Sequence, residues 1–299
     1  MTAATRPAAS SVLPLVWVNG RRVEPGAPQL SVFDRGFTLA DGLFETVRVY
    51  GGVPFRLDRH LARLVAGAGV LGIPVPHAVD AMVHRAVGVA HAAGASDLAL
   101  RITLTRGAGA PGVAPPREAA PTIVIALQEL PARAVPLLDA GLVVQIARAR
   151  RNEHAASAGL KTLSYTDGVL ALAAARAAGA DDAIFLDTAG HVSEGTASNV
   201  LVRRGGELLT PPVSCGALPG ITREAVLELA PHAGLSVAER PVTPDELLDA
   251  DEVLLTSSLR EIAPVVRIDG RAIGTGAVGD AAHRLAAAYA ALVARERGP

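Results

Sequence analysis

The sequence predicts an α/β chain, mixed α+β in its order, with room for two compact domains or one large one. Two observations carry the class. Short stretches of period-two hydrophobicity alternate with helical stretches along the chain. Half of the 299 residues are apolar and 19% are charged, a balance that buries a sizeable core. A third observation bears on organisation: residues 131–136, bracketed by prolines, read as an interdomain linker.

Taken in order, residues 1–14 contain one arginine and no continuous apolar run, so they read as a loose arm rather than a signal peptide. Residues 15–18 alternate and end at the hairpin dipeptide Asn19-Gly20. A strand then puts Phe44, Thr46, Arg48 and Tyr50 on one face and Leu43, Glu45, Val47 and Val49 on the other. Gly51-Gly52 turns the chain into a returning strand over 53–57, after which Asp58 is expected to cap a helix. On that helix Arg59 and Arg63 are four apart and read by default as a solvated pair. A second helix over about 76–93 precedes a strand over 98–106. Arg101, Thr103 and Thr105 form its polar face, either a solvated edge or the wall of a site. A Gly/Pro loop over 107–116 and a strand over 122–127 follow.

The second half opens with a strand over 142–147, a polar loop to Gly159, Lys161, and a helix over about 165–178. Lys161 is expected where a loop enters that helix, a position that holds an amine rigidly. A strand over 183–187, the turn 188–191 and a polar stretch through Glu194, Ser198 and Asn199 lead into a strand over 200–203. Pro219 and Gly220 then open a helix with Thr222 in its first turn, where free N–H groups and the positive dipole end favour an anion. A strand over 252–255 runs into Thr256-Ser257-Ser258. The chain closes with a hairpin over Asp269-Gly270 and a helix over about 277–295.

Several function classes are disfavoured. A net charge of −1 leaves no electrostatic footprint for nucleic acid or an anionic membrane, and 3% aromatics argue against a base-stacking platform. No run reaches the roughly 20 apolar residues of a membrane helix. The single cysteine, Cys215, excludes an internal disulfide, fits a reducing cytoplasm and reads as a small apolar residue. No metal cluster, nucleotide-binding glycine loop or Ser-His-Asp arrangement is apparent.

Lys161 is the single lysine among 28 Lys and Arg residues. A guanidinium stays protonated, whereas a lysine amine can lose its proton and condense with a carbonyl. The one retained lysine is therefore a candidate for imine chemistry.

The order Arg63-Leu64, Lys161, Glu194-Gly195 with Ser198-Asn199, Leu218 to Arg223, and Ser257-Ser258 with Glu261, Pro264 and Val265 resembles the class IV aminotransferases. These are pyridoxal-phosphate enzymes of fold type IV, among them branched-chain and D-amino-acid aminotransferases, (R)-amine transaminases and 4-amino-4-deoxychorismate lyases. The resemblance runs from about residue 17 to 265. It implies two α/β domains, a smaller N-terminal one over 15–130 and a larger cofactor-binding one over 138–299, joined by a linker over 131–137. It implies a homodimer in which a partner loop closes each pocket. It also implies roles. Lys161 would be joined to pyridoxal 5'-phosphate and later carry a proton; Glu194 would keep the pyridine nitrogen protonated; Arg63, the backbone of Ile221 and Thr222, and the Ser258 hydroxyl would hold the phosphate. Tyr165 would lie near the ring oxygen, although it follows Lys161 by one residue fewer than in the branched-chain enzymes.

The stretch Asp34-Arg35-Gly36 through Asp41-Gly42-Leu43-Phe44-Glu45-Thr46 resembles the D-amino-acid aminotransferases and the lyases more than the branched-chain enzymes, which place a tyrosine and a small residue where this chain has Leu39 and Thr46. Pro111 stands where the D-amino-acid enzymes carry a carboxylate-binding arginine. Arg101 is the substitute candidate, with Arg35 and Arg48 behind it, and Phe44 and Thr46 are expected to line the pocket. The expectation is a transaminase that moves an amino group from a D-amino acid or (R)-amine to a 2-oxo acid. Aminodeoxychorismate lyase is the alternative.

Overall fold

Period-two strands assemble into two sheets. The computed structural model describes residues 13–27, 30–130 and 138–298. The expected linker, and all of the expected arm up to residue 12, lie outside the described residues.

The first sheet is antiparallel, in the order β2-β1-β6-β5-β3-β4. Its strands are β1 (Leu15–Val18), β2 (Arg21–Val23), β3 (Gly42–Tyr50), β4 (Val53–Pro54), β5 (Leu98–Thr105) and β6 (Thr122–Gln128). Helix α1 (Arg35–Leu39) precedes β3; α2 (Leu57–Leu71) and α3 (Val79–Ala92) precede β5. One face of β3 and β5 supplies Leu43, Val47, Leu100 and Ile102 to a core shared with Leu64 and Ala68 of α2 and Val83 and Val87 of α3. The alternate residues, Phe44, Thr46, Arg101 and Thr103, point the other way, as the period requires. The returning strand after Gly52 is shorter than expected. Arg56 adopts a left-handed φ of 49°, which reverses the chain, so the strand stops at Pro54 and α2 begins at Leu57. Asp58 lies inside the first helical turn, where its charge meets the helix dipole instead of capping it.

The second sheet is mixed, in the order β12-β11-β10-β13-β14-β7-β8-β9, with β15 on β14. Its elements are β7 (Leu142–Arg151), α4 (Thr166–Ala177), β8 (Asp182–Asp187), β9 (Val192–Gly195), β10 (Asn199–Arg204), β11 (Glu207–Thr210), α5 (Ile221–Leu229), β12 (Ser236–Glu239), α6 (Pro244–Leu248), β13 (Glu252–Ser257), β14 (Glu261–Ile268), β15 (Arg271–Ala272) and α7 (Asp280–Arg297). β9 also pairs with β10 through Glu194 and Asn199, so this sheet curls back on itself around an apolar core of Val144, Ile184, Val200, Leu255 and Val265. Outside it, α5 and α7 pack over Leu201 and Leu254.

The two sheets are tied directly. Tyr50 Oη donates to Glu261 Oε1 at 2.7 Å, Arg48 donates to the Leu259 carbonyl at 3.1 Å, and the Phe55 and Tyr289 rings lie 5.4 Å apart. Those contacts hold the polar face of β3 and β5 opposite the rim of the second sheet, leaving a cleft between them.

Candidate active site

The cleft contains a cavity of about 440 Å³, within the usual range for small-molecule sites. Lys161, Glu194, Arg63, Tyr165, Ile221, Thr222, Ser258, Phe44 and Thr46 all line it. Lys161 lies in the loop that leads into α4, and that loop is pinned to β3. Phe44 N donates to the Lys161 carbonyl at 3.0 Å, Leu43 pairs with Thr162, and α4 starts at Thr166. Lys161 Nζ donates to Tyr165 Oη at 3.1 Å and stands 4.5 Å from the Phe44 ring centroid. Phe44 meets the Tyr165 ring edge-on at 5.0 Å, so the amine sits in an aromatic corner that limits its motion.

Glu194 lies near the end of β9. Its Oε1 accepts from Arg151 Nε at 2.9 Å and its Oε2 from the Leu218 N–H at 2.9 Å. Burial pushes its carboxyl above the ordinary range, outweighing the Arg151 charge and the Leu218 hydrogen bond.

The two arginines of α2 part company. Arg59 points outward, 3.4 Å from Glu224, whereas Arg63 turns into the cleft. Arg63 Nε and Nη2 donate to the two oxygens of Glu45 at 2.8 and 2.6 Å, and Nη1 donates to the Pro219 carbonyl at 2.6 Å. That carbonyl directly precedes Gly220, the residue before α5, which offers the helix no side-chain cap. The first N–H groups of α5 are thus left for an incoming group. A Cβ on Gly220 would collide with Asn199 Oδ1, and Asn199 in turn donates to the Leu218 carbonyl at 2.7 Å. Only glycine allows this close approach.

These residues fit pyridoxal phosphate. Ser198 Oγ and Thr256 Oγ1 are buried at the cavity wall without hydrogen-bond partners among the described residues, as groups waiting for a ligand would be. Arg63, the α5 start and Ser258 could hold a phosphate, Glu194 a ring nitrogen, and Lys161 the aldehyde carbon.

Arg101 lies across from Thr46 in the β3–β5 register. Its guanidinium is 3.8 Å from the Phe44 ring centroid and donates to Thr103 Oγ1 at 3.2 Å, with no carboxylate paired to it among the described residues. Burial lowers its pKa. Arg101 adjoins the cavity through the Phe44 ring and the neighbouring Thr46 rather than lining it, and Arg35 and Arg48 do not line it either. Arg35 bonds Asp41 at 2.8 Å and the carbonyls of Gly112, Val113 and Ala114, which fastens the 107–116 loop. Arg48 lies over the Tyr50 ring and against Leu259 and Glu261.

Sequence reasoning assigned no role to Glu45, His60 or Arg151. A signal existed for Glu45, a charged residue on the apolar face of its strand. Arg151 offered none, because its partner Glu194 is 43 residues away.

The family described as amino-transferase class IV matches residues 42–268. A putative branched-chain-amino-acid aminotransferase of Methanocaldococcus jannaschii is 36% identical over 272 residues, covering 90% of this chain and 93% of the relative. The D-alanine aminotransferase of Bacillus licheniformis is 33% identical, covering 88% and 92%. Among solved structures, the T.th. branched-chain amino acid aminotransferase with pyridoxamine 5'-phosphate superposes with a TM-score of 0.84 at 31% identity, covering 92% of each chain. The 4-amino-4-deoxychorismate lyase of Pseudomonas aeruginosa gives 0.79 at 36% identity, covering 91% and 97%.

Proposed function

Since this chain belongs to the class IV aminotransferases, enzymes that work with pyridoxal phosphate, we propose that it moves an amino group from D-amino acids to 2-oxo acids. The observation that carries the proposal is Lys161 Nζ, held at 3.1 Å from Tyr165 Oη in a cavity that Glu194 also lines.

The bound cofactor supplies an electron sink and the carbonyl that takes up and hands on the amino group. Lys161 Nζ would take the proton from the amino donor's reacting carbon and pass it to the cofactor's former aldehyde carbon, and would carry it the other way for the 2-oxo acid, with Tyr165 Oη fixing its direction. Glu194 holds a proton at the ring nitrogen, and Arg151 keeps Glu194 in place. Arg63, the Ile221 and Thr222 N–H groups and the Ser258 hydroxyl bind the phosphate. Arg101, half-buried and without an acid partner among the described residues, takes the substrate carboxylate, which favours amino acids over simple (R)-amines. Phe44 and Thr46 form the wall beside it.

The D preference rests on Leu39 and Thr46 and on the likeness to a D-alanine aminotransferase. Most curated relatives are named branched-chain aminotransferases, so the test pairs D-alanine with L-leucine. The protein carrying its cofactor should pass to the pyridoxamine form with D-alanine and return with 2-oxoglutarate. Conversion by L-leucine alone would sink the stereochemical reading. The second reading, lyase activity, is favoured by the likeness to a solved deoxychorismate lyase. It predicts pyruvate release from aminodeoxychorismate and an unchanged spectrum with D-alanine.

A homodimer is part of the proposal. Leu30, Val32, Phe33, Phe37 and Leu39 leave an exposed apolar patch on and beside α1, with Phe37 78% exposed. A second copy would cover it, and light scattering on the purified protein would read twice the chain mass.

A further inference from the structure

We infer that Glu45 is a positioning residue for the cofactor phosphate, acting through Arg63, with His60 holding Glu45 in turn. The inference rests on the pyridoxal-phosphate reading of the cavity.

Glu45 lies on the β3 face that packs against α2, between Leu43 and Val47, and is 1% exposed. An ionised carboxylate in such a layer is costly unless every oxygen is satisfied. Both are. Oε1 takes Arg63 Nε, Oε2 takes Arg63 Nη2, and Oε2 also meets His60 Nδ1 at 2.7 Å. Burial opposes the Glu45 charge, but the hydrogen bonds from Arg63 and His60 win and hold its pKa below the ordinary range. Burial likewise keeps His60 neutral, which leaves it one ring proton, placed on Nδ1 to meet the carboxylate.

The consequence lies on the Arg63 side. An arginine offers five N–H groups in a rigid fork. Glu45 and the Pro219 carbonyl occupy three of them. The fork is therefore locked before any ligand arrives, and the Pro219 contact sets it in register with the start of α5. The remaining N–H groups belong to the side chain that lines the cavity. Glu45 offsets the arginine's charge, so its contribution to phosphate binding is orientation: side-chain freedom is lost during folding instead of at binding.

A rival account gives Glu45 only the task of joining β3 to α2. The two differ in what they predict for a ligand without a phosphate. Cofactor-free full-length protein is titrated with pyridoxal 5'-phosphate and with pyridoxal, following absorbance, for the wild type, Glu45→Gln and His60→Asn. Glu45→Gln should weaken pyridoxal phosphate by roughly 10- to 100-fold while changing pyridoxal less than about 2-fold. His60→Asn, which keeps the Glu45–Arg63 pair, should show the same selectivity at about 3- to 10-fold and carries the test if Glu45→Gln does not fold. Parallel weakening of both ligands, or no change in either, overturns the inference. A wild type that binds neither ligand would instead defeat the cofactor reading.

Discussion

Tyr165 Oη accepts a hydrogen bond from Lys161 Nζ at 3.1 Å, and the phenol ring is itself braced edge-on by Phe44. The amine is thus aimed by a side chain four positions further along the sequence, with both anchored to β3. Replacing Tyr165 by Phe removes the hydrogen bond that aims the amine, worth about 1 kcal/mol, and should lower kcat about 5-fold with the cofactor retained. Lys161→Arg should lower it by at least roughly 10²- to 10⁴-fold. Single-turnover kinetics check both.

Arg151 is the charge that keeps Glu194 ionisable. Burial already pushes the Glu194 carboxyl up, and the Arg151 charge is the first force opposing it. Arg151→Met should raise that carboxyl further, so the acid limb of the kcat profile should move to higher pH. A limb that stays in place would show that Arg151 does not act through Glu194.

Arg101→Ala should raise KM for D-alanine by roughly 10- to 100-fold, the worth of a charge-assisted pair at about 1.5–3 kcal/mol. Steady-state kinetics with varied donor read it directly. An unchanged KM would place the carboxylate elsewhere.

His60 adds a pH dependence to stability. Its folded pKa is depressed below 6.5 by burial, so between the folded value and 6.5 the unfolded chain binds a proton that the folded chain does not. Stability should therefore be fully present above pH 6.5 and fall as pH drops below it. Urea midpoints between about pH 7.5 and 5.5 should show this slope, and His60→Asn should flatten it.

Arg35 is a fastener. It spans Asp41 and three carbonyls of the 107–116 loop from a site that is 4% exposed. Arg35→Ala leaves Asp41, among the described residues, paired to Arg106 alone and strands the loop carbonyls, and should cost about 1–3 kcal/mol. The expected readout is a lower melting temperature and faster proteolysis within 107–116.

Local chemistry was enough for much of this. Alternation along β3 and β5 separated the face of Leu43 and Val47 from the face of Phe44 and Thr46, because side chains on a strand must alternate. Pro219 and Gly220 announced the uncapped start of α5, and the single lysine announced the amine. The α2 arginines were not resolvable in this way. Arg59 and Arg63 are equivalent in spacing, and only the arrival of β3 and Pro219 turns one inward while the other stays in water. The same holds for Arg151 beside Glu194 and for Arg35 and Arg48, whose guanidiniums are claimed by groups far away in the chain. A side chain's periodicity is set by its own backbone, but its partner is set by which distant segment folding brings within about 3 Å, and that second choice belongs to the tertiary structure alone.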